Sequence, residues 1–123
     1  MNPNDLRYAS SHEWIGAGDP MTVGISDFAQ DQLGDVVFVE LPAAGATFKA
    51  GETLGTVESV KTVSDLYAPI DLTVVETNSA LVDTPELVNT SPFGDGWMLK
   101  VTGNPADLNR LMDRTTYEAT AAH

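Results

Sequence analysis

The sequence predicts a mainly β fold, an antiparallel sandwich or a small barrel, with short helices between some of the strands. Two observations support this class. Short segments rich in valine, threonine and aromatic residues recur along the chain, and turn signals that contain glycine, often with proline, separate them. The chain has 123 residues, of which 42% are hydrophobic, so we expect one domain over residues 1–123 with a single core.

Six segments have the composition of strands. They are MTVGI at 21–25, VVFVEL at 36–41, TLGTVES at 53–59, VSDLYA at 63–68, LTVVET at 72–77 and WMLKV at 97–101. The turn signals between them are GAGDP at 16–20, PAAG at 42–45, KAGE at 49–52 and PFGDG at 92–96.

Two short helices are predicted between strands. Asp27 and Gln30 resemble a capping box, and Gly34 supplies the end of that first helix. The Thr-Pro pair at 84–85 places a capping residue before a proline at the first helical position, which predicts a second helix.

A third helix is predicted near the C-terminal end, after the Asn-Pro pair at 104–105. Apolar residues recur there at helical spacing, at Leu108, Leu111 and Met112. The segment 113–123 has no such pattern and is expected to be a loose tail, so the core of the domain is expected to span about residues 8–112.

The net charge of −12, from 18 acidic and 6 basic residues, bounds the possible partners. Nucleic acids and anionic membrane surfaces would be repelled, whereas proteins with basic patches would be attracted. No apolar run reaches the length of a membrane span, and the first residues resemble neither a secretory signal nor a transit peptide. We therefore expect a cytoplasmic, bacterial-type chain without a targeting segment.

Thiol and metal chemistry by the chain's own residues receive little support. Cysteine is absent, so there is neither a disulfide framework nor a reactive thiol. Asp27, Asp31 and Asp35 share one predicted helical face, but the alternating ligands and the glycine of a calcium loop are missing. A solvated acidic face is the favoured interpretation, and no metal site is predicted.

Nucleophilic catalysis and dinucleotide binding are also poorly supported. Ser11 and His12 are adjacent, and neighbours in an extended chain point to opposite faces, so they cannot form a serine–base pair there. The GAGDP run at 16–20 lacks the third glycine and the helix of a dinucleotide site, and it is interpreted as a turn. We predict no catalytic residues.

Lys61 is the most informative single residue. It is one of three lysines in the chain and lies between two predicted strands, with the small residues Val60 and Thr62 beside it. Most isolated lysines are ordinary surface charges. An exposed amine at the tip of a stiff hairpin is, however, well placed for acylation, which removes its charge.

The chain resembles the glycine cleavage H-protein family from about Tyr8 to Met112. The matching segments are SHEW at 11–14, VGISDFAQDQLGDVVFVELP at 23–42, ESVKTVSDLYAP at 58–69 and PELVNTSPFGDGWMLKV at 85–101. The resemblance implies a barrel-sandwich hybrid of the lipoyl/biotinyl-domain type with short added helices.

The resemblance further implies that Lys61 carries lipoate as a covalent amide and that the protein is a carrier rather than an enzyme. The carrier would take an aminomethyl group from a pyridoxal-phosphate glycine decarboxylase (P protein) to a tetrahydrofolate-dependent aminomethyltransferase (T protein). Dihydrolipoyl dehydrogenase (L protein) would reoxidise it. All sulfur chemistry would then belong to the cofactor, consistent with the absence of cysteine. A carrier that visits several enzymes in turn is expected to be a monomer.

The resemblance assigns two further sets of residues. Recognition by the lipoylating enzymes would involve the surroundings of the lysine, namely Glu58, Val60 and Thr62. A surface cleft that shelters the loaded arm would be lined by Ser11, Glu13 and Asp65. Carboxylates can hold an amine by charge-assisted hydrogen bonds, although solvated acids are an equally good interpretation of Glu13 and Asp65.

Three alternatives remain open. Biotinyl domains place their lysine between methionines, and lipoyl domains of 2-oxoacid dehydrogenases lack the SHEW segment, so both fit less well. An H-like protein that relays lipoate to other enzymes would look the same. An unmodified acidic interaction module would tolerate Lys61→Arg.

The chain departs from the family pattern at residues 71–72, which are Asp-Leu where the family usually has Ser-Gly. If that position required a positive φ, Leu72 would cost roughly 1–2 kcal/mol.

Overall fold

The computed structural model describes residues 1–121, which form two antiparallel sheets with short helices. No helix within those residues combines the length and hydrophobicity that a membrane crossing demands. The strands are β1 (Arg7–Tyr8), β2 (Glu13–Gly16), β3 (Met21–Ile25), β4 (Val36–Glu40), β5 (Thr47–Phe48), β6 (Thr53–Ser59), β7 (Val63–Tyr67), β8 (Leu72–Thr77) and β9 (Leu99–Gly103). The α-helices are α1 (Asp27–Leu33), α2 (Ala80–Asp83), α3 (Leu87–Thr90) and α4 (Arg114–Ala121), and 3-10 helices cover Pro3–Asp5 and Pro105–Arg110.

The larger sheet has six strands in the order β1-β2-β3-β9-β8-β5, and the smaller has three in the order β4-β6-β7. The larger of two apolar clusters lies between them, and members such as Ile15, Val57 and Val101 are fully buried. Because successive side chains of a strand point to opposite faces, the neighbour of Val57, Glu58, is exposed on the outer face of the smaller sheet.

All six predicted strand segments contain a strand, with small shifts at their ends. The last begins at Leu99 rather than Trp97, because the Trp97 N–H closes a turn onto the carbonyl of Gly94 at 3.1 Å. Sequence reasoning missed β1, β2 and β5. These strands have two to four residues, too few to show an alternating pattern.

The predicted helices differ from the observed ones in detail. The N-cap of α1 is Ser26, whose hydroxyl accepts the N–H of Ala29 at 3.2 Å, and the predicted capping box at Asp27 was wrong in register. Gly34 ends the helix at φ 76°, as predicted from its backbone freedom. The apolar segment after Asn104 is a 3-10 helix, and α2 was not predicted.

The expectation of a loose tail after residue 112 is wrong for residues 114–121, which form α4. Tyr117 is 1% exposed and stacks on Tyr8 with ring centroids 4.4 Å apart. The guanidinium of Arg114 donates to both carboxylate oxygens of Asp27 at 2.9 Å. A single aromatic anchor and one bidentate ion pair hold this helix, so its sequence shows no apolar stripe; residues 122–123 of the predicted tail lie outside the described residues.

Leu72 occupies an ordinary strand position and not a left-handed one. It begins β8, pairs with Phe48 and Gly103, and is 3% exposed. Among the non-glycine residues that the structure describes, only His12 has a positive φ. The condition for strain at Leu72 is therefore not met, and the preceding Asp71 accepts the N–H of Ala50, in the separate turn before β6, at 2.8 Å.

Candidate functional site

Lys61 lies in the tight loop between β6 and β7, as the sequence predicts. The two strands pair up to Glu58 and Val63, which leaves four residues for the turn. The hydroxyl of Ser59 accepts the N–H groups of Lys61 and Thr62, both at 3.2 Å. Because Ser59 is only 6% exposed, this hydroxyl acts as a buried support for the tip of the hairpin.

Sequence reasoning missed Ser59. A serine at the end of a strand, directly before a short loop, is a known turn signal, and the run ESVKT contains it. The signal was overlooked because Ser59 also belongs to the alternating pattern of β6.

The amine of Lys61 is accessible. The residue is exposed, and within residues 1–121 it takes part in no ion pair shorter than 4.0 Å. Its neighbour Val60 is 68% exposed, and Glu58 and Thr62 are exposed too. The predicted recognition residues thus surround the lysine on the surface, and Glu58 is flanked across the strands by Phe38 and Val63.

A cleft of about 300 Å³ opens beside this hairpin. Ser11, His12 and Glu13 form one wall, and α1 contributes Ala29, Gln32 and Leu33. The opposite wall is the segment 62–66, which includes Asp65. Ser11, Glu13, Asp65 and Thr62 therefore all line this one cleft.

Glu13 is the unusual group in the cleft, since its side chain is acidic and yet only 2% exposed. The hydroxyl of Ser11 donates to its Oε1, and the backbone N–H of Tyr67 donates to its Oε2 at 3.2 Å. Burial raises the pKa of Glu13 from 4.5 to about 7, although these hydrogen bonds oppose the rise. The carboxyl therefore changes protonation near neutral pH, and a cation in the cleft would favour its ionised form.

The arrangement does not form a catalytic triad or a metal site. His12 directs its Nδ1 to the hydroxyl of Tyr117 at 2.7 Å, away from any pairing with Ser11. No group of three potential metal ligands occurs within residues 1–121. What the site offers is an exposed amine, a cleft next to it and two carboxylates, one buried and one exposed.

Comparison with known proteins agrees with this description. The sequence matches the model of the glycine cleavage H-protein family over residues 6–123. It is 54% identical over 119 residues to the glycine cleavage system H protein of Synechococcus sp. (strain RCC307), covering 95% of this chain and 92% of that one. It is 56% identical over 119 residues to the H protein of Symbiobacterium thermophilum, covering 95% and 93%.

A solved structure is similar over the whole chain. The crystal structure of a glycine cleavage system H protein from Mycobacterium marinum superposes with a TM-score of 0.86 and 41% identity. The match covers 99% of this chain and 100% of that one, and it confirms the barrel-sandwich hybrid fold. The extent of both the sequence and the structural matches shows that the chain belongs to the glycine cleavage H-protein family.

Proposed function

We propose that this protein performs its carrier role through lipoate held in amide linkage on Lys61. As a member of the H-protein family, it is a lipoyl carrier of the glycine cleavage system and not a catalyst. The observation that carries the attachment site is the exposed amine of Lys61 on a hairpin tip braced by the buried hydroxyl of Ser59. A stiff base under a long mobile arm suits delivery to several enzymes.

Lipoate fits the residues at this site. The amine has no ion-pair partner within residues 1–121 that acylation would leave unpaired. The adjacent cleft of about 300 Å³ has apolar walls, including Ile25, Leu33 and Val57. When bound, the cofactor supplies the disulfide and dithiol chemistry for which the cysteine-free chain has no group of its own.

Ser11, Glu13 and Asp65 are proposed to shelter the loaded arm. A primary amine that enters the cleft is cationic at neutral pH and would be held by the carboxylates of Glu13 and Asp65. Ser11 keeps Glu13 in place through its hydroxyl. The apolar part of the lining would reduce contact of the carried group with water and so slow its hydrolytic loss.

Glu58, Val60 and Thr62 are proposed to be read by the lipoylating enzymes. All three are exposed and lie within three residues of Lys61. The net charge of −12 favours encounter with basic patches on the lipoylating enzymes and on the P, T and L proteins, each of which would bind transiently to a monomer. The cytoplasm is where we expect these encounters, since a reducing compartment suits a dithiol cofactor.

The lipoate-relay alternative uses the same lysine, and no feature of the site favours it. An assay of the lipoylated protein with glycine decarboxylase separates the two, since a relay protein need not support decarboxylation.

The attachment is tested by measuring the intact mass of the protein isolated from cells supplied with lipoate and mapping the modified peptide. The expected result is one lipoyl increment on the peptide that contains Lys61. An increment on Lys49 or Lys100 instead, or none on folded protein exposed to an active lipoylating enzyme, would overturn the proposal.

A further inference from the structure

The loop that bears Lys61 rests on the short segment 34–36, which joins α1 to the start of β4. The N–H of Val60 donates to the carbonyl of Asp35 at 3.0 Å. The lysine stem crosses directly over Gly34, and a Cβ placed on Gly34 would lie 3.0 Å from Cε of Lys61 and 3.6 Å from its Nζ. The position and direction of the lysine therefore depend on where this segment lies.

A side chain from another part of the sequence is hydrogen-bonded to both ends of that segment. The amide of Asn89, in α3, donates to the carbonyl of Gly34 at 2.8 Å and to Oε1 of Gln30 at 3.1 Å. Its Oδ1 accepts the N–H of Val36 at 2.8 Å. Asn89 thus uses one acceptor and both donor hydrogens, a set that neither aspartate nor a hydrophobic residue can reproduce.

Asp35 lies between Gly34 and Val36, both of which are hydrogen-bonded to the Asn89 side chain. Because the Asn89 amide bonds both Gly34 and Val36, it restrains the orientation in which the carbonyl of Asp35 accepts the N–H of Val60. Asn89 is thus connected to Lys61 through these hydrogen bonds and the backbone of the two segments that they join. The only side chain in this connection is that of Asn89 itself.

We propose that Asn89 is a positioning residue for the modified lysine and acts through the segment 34–36. In this arrangement the absence of a Cβ at Gly34 leaves the space that the lysine side chain occupies. This inference rests on the proposed attachment at Lys61. The hydrogen bonds of the Asn89 side chain go to Gln30, Gly34 and Val36 and not to Lys61, and Asn89 does not line the cleft, so its role is indirect.

The chain contains a matched control for Asn89. Asn78 is also a clamp, since its amide donates to the carbonyls of Asp95 at 2.9 Å and Trp97 at 2.7 Å, and its Oδ1 accepts the N–H of Ala80 at 3.2 Å. Asn89→Asp and Asn78→Asp therefore make the same chemical change and remove the same number of donors, but only the first acts under the lysine loop.

The first readout is the hydrogen exchange of the Val60 amide, which needs no cofactor. We expect Asn89→Asp to speed this exchange about tenfold, and Asn78→Asp to change it no more than it changes exchange of the core as a whole. Equal acceleration of Val60 in both variants would show that Asn89 is merely structural and would overturn the inference.

The second readout is lipoylation of the apo protein by a purified lipoylating enzyme. For Asn89→Asp we expect kcat/KM to fall about fivefold, with Asn78→Asp within about twofold of the wild type. If wild-type Lys61 is never lipoylated, the proposed function fails, and the Val60 exchange comparison still decides whether Asn89 positions the loop.

Two glycine variants, Gly34→Ala and its control Gly51→Ala, provide a second test if Asn89→Asp does not fold. Gly34 and Gly51 both have a positive φ, of 76° and 86°, so an alanine is strained at each, but a Cβ at Gly51 meets nothing within 4 Å, whereas one at Gly34 lies 3.0 Å from Cε of Lys61. We expect Gly34→Ala to reduce the kcat/KM of lipoylation about fivefold more than Gly51→Ala does, because only the first obstructs the lysine stem. Equal effects would overturn the positional role of this segment.

Discussion

The buried carboxylate of Glu13 accepts the backbone N–H of Tyr67 at 3.2 Å, which joins β2 of the larger sheet to β7 of the smaller one. The bond lies at the cleft, whose walls come from both sheets. Within residues 1–121 Glu13 has no cationic partner, so only hydrogen bonds offset the cost of burying its ionised carboxylate. The arrangement is therefore well suited to a cation brought in from outside.

Replacing Glu13 by glutamine should stabilise the unloaded protein at alkaline pH. The pKa of Glu13 is about 7 in the folded state and ordinarily 4.5, so between these values the folded state binds more protons than the unfolded state. Wild-type stability is therefore lost as the pH rises through this window, whereas the glutamine variant has no such loss. In urea unfolding, the advantage of Glu13→Gln over the wild type should grow from pH 5 to pH 8 by up to about 3 kcal/mol.

The control for this experiment is Asp65→Asn, which changes the other cleft carboxylate. Asp65 is exposed, so its replacement removes a cleft carboxylate that is not buried and shows what the loss of one acidic charge does by itself. An advantage of Glu13→Gln that does not grow from pH 5 to pH 8 would mean that burial does not raise the pKa of Glu13.

Lys61→Arg should abolish lipoylation and carrier activity while leaving the fold intact. Arginine keeps the positive charge but cannot form the lipoyl amide, and the exposed lysine contributes no ion pair within residues 1–121. The measurements are intact mass after lipoylation and the unfolding midpoint. Lys49→Arg, at another exposed lysine, should remain fully active; activity retained by Lys61→Arg would instead support an unmodified interaction module.

Sequence reasoning succeeded where the pattern was local. Strands β6 and β7 have enough residues to show their composition, and the loop between them follows directly, which placed Lys61 at a hairpin tip. Gly34 marks the end of α1 because a positive φ favours glycine. Ser11, Glu13 and Asp65 were grouped by resemblance to a family, and not by any pattern in their own spacing.

What the sequence did not reveal depends on contacts between distant segments. Glu13 is buried where its side chain meets Tyr67, 54 positions away, and nothing in the run SHEW marks that glutamate as buried. Asn89 holds Val36, 53 positions away, through a side-chain bond. The helix α4 is anchored by Tyr117, so one residue replaces the periodic stripe on which helix prediction relies.

Ser59→Ala should loosen the lysine loop. The variant removes the hydroxyl that accepts the N–H groups of Lys61 and Thr62, at a cost of about 1–2 kcal/mol. Hydrogen exchange of these two amides should accelerate, and lipoylation should slow. Ser79→Ala is the control, since Ser79 is exposed and its side chain caps nothing; the prediction fails if both variants leave the loop amides equally protected.

Leu72→Gly, which restores the residue usual in the family, should destabilise this protein. Leu72 is 3% exposed in the core, and its removal leaves a cavity in addition to the backbone cost of glycine, in total about 3–5 kcal/mol. Val75→Gly makes the same backbone change in β8 at a side chain that is 46% exposed, and should cost much less. The difference in urea midpoints measures the packing of Leu72, and similar midpoints would show that the core does not depend on it.

Tyr117→Ala should destabilise the whole domain and not only its last helix. The ring of Tyr117 is 1% exposed and stacks on Tyr8, and its hydroxyl bonds both His12 and Ser26. Loss of a buried aromatic side chain costs about 3–5 kcal/mol, and the two polar partners would lose a hydrogen bond. Because His12 lines the cleft, the effect should extend to the wall that holds Glu13, which amide exchange across residues 11–14 would report.

Thr115→Ala, on the exposed side of α4, should leave both the unfolding midpoint and this exchange unchanged. If Tyr117→Ala behaves like Thr115→Ala, then α4 is an appendage, and the cleft does not depend on it.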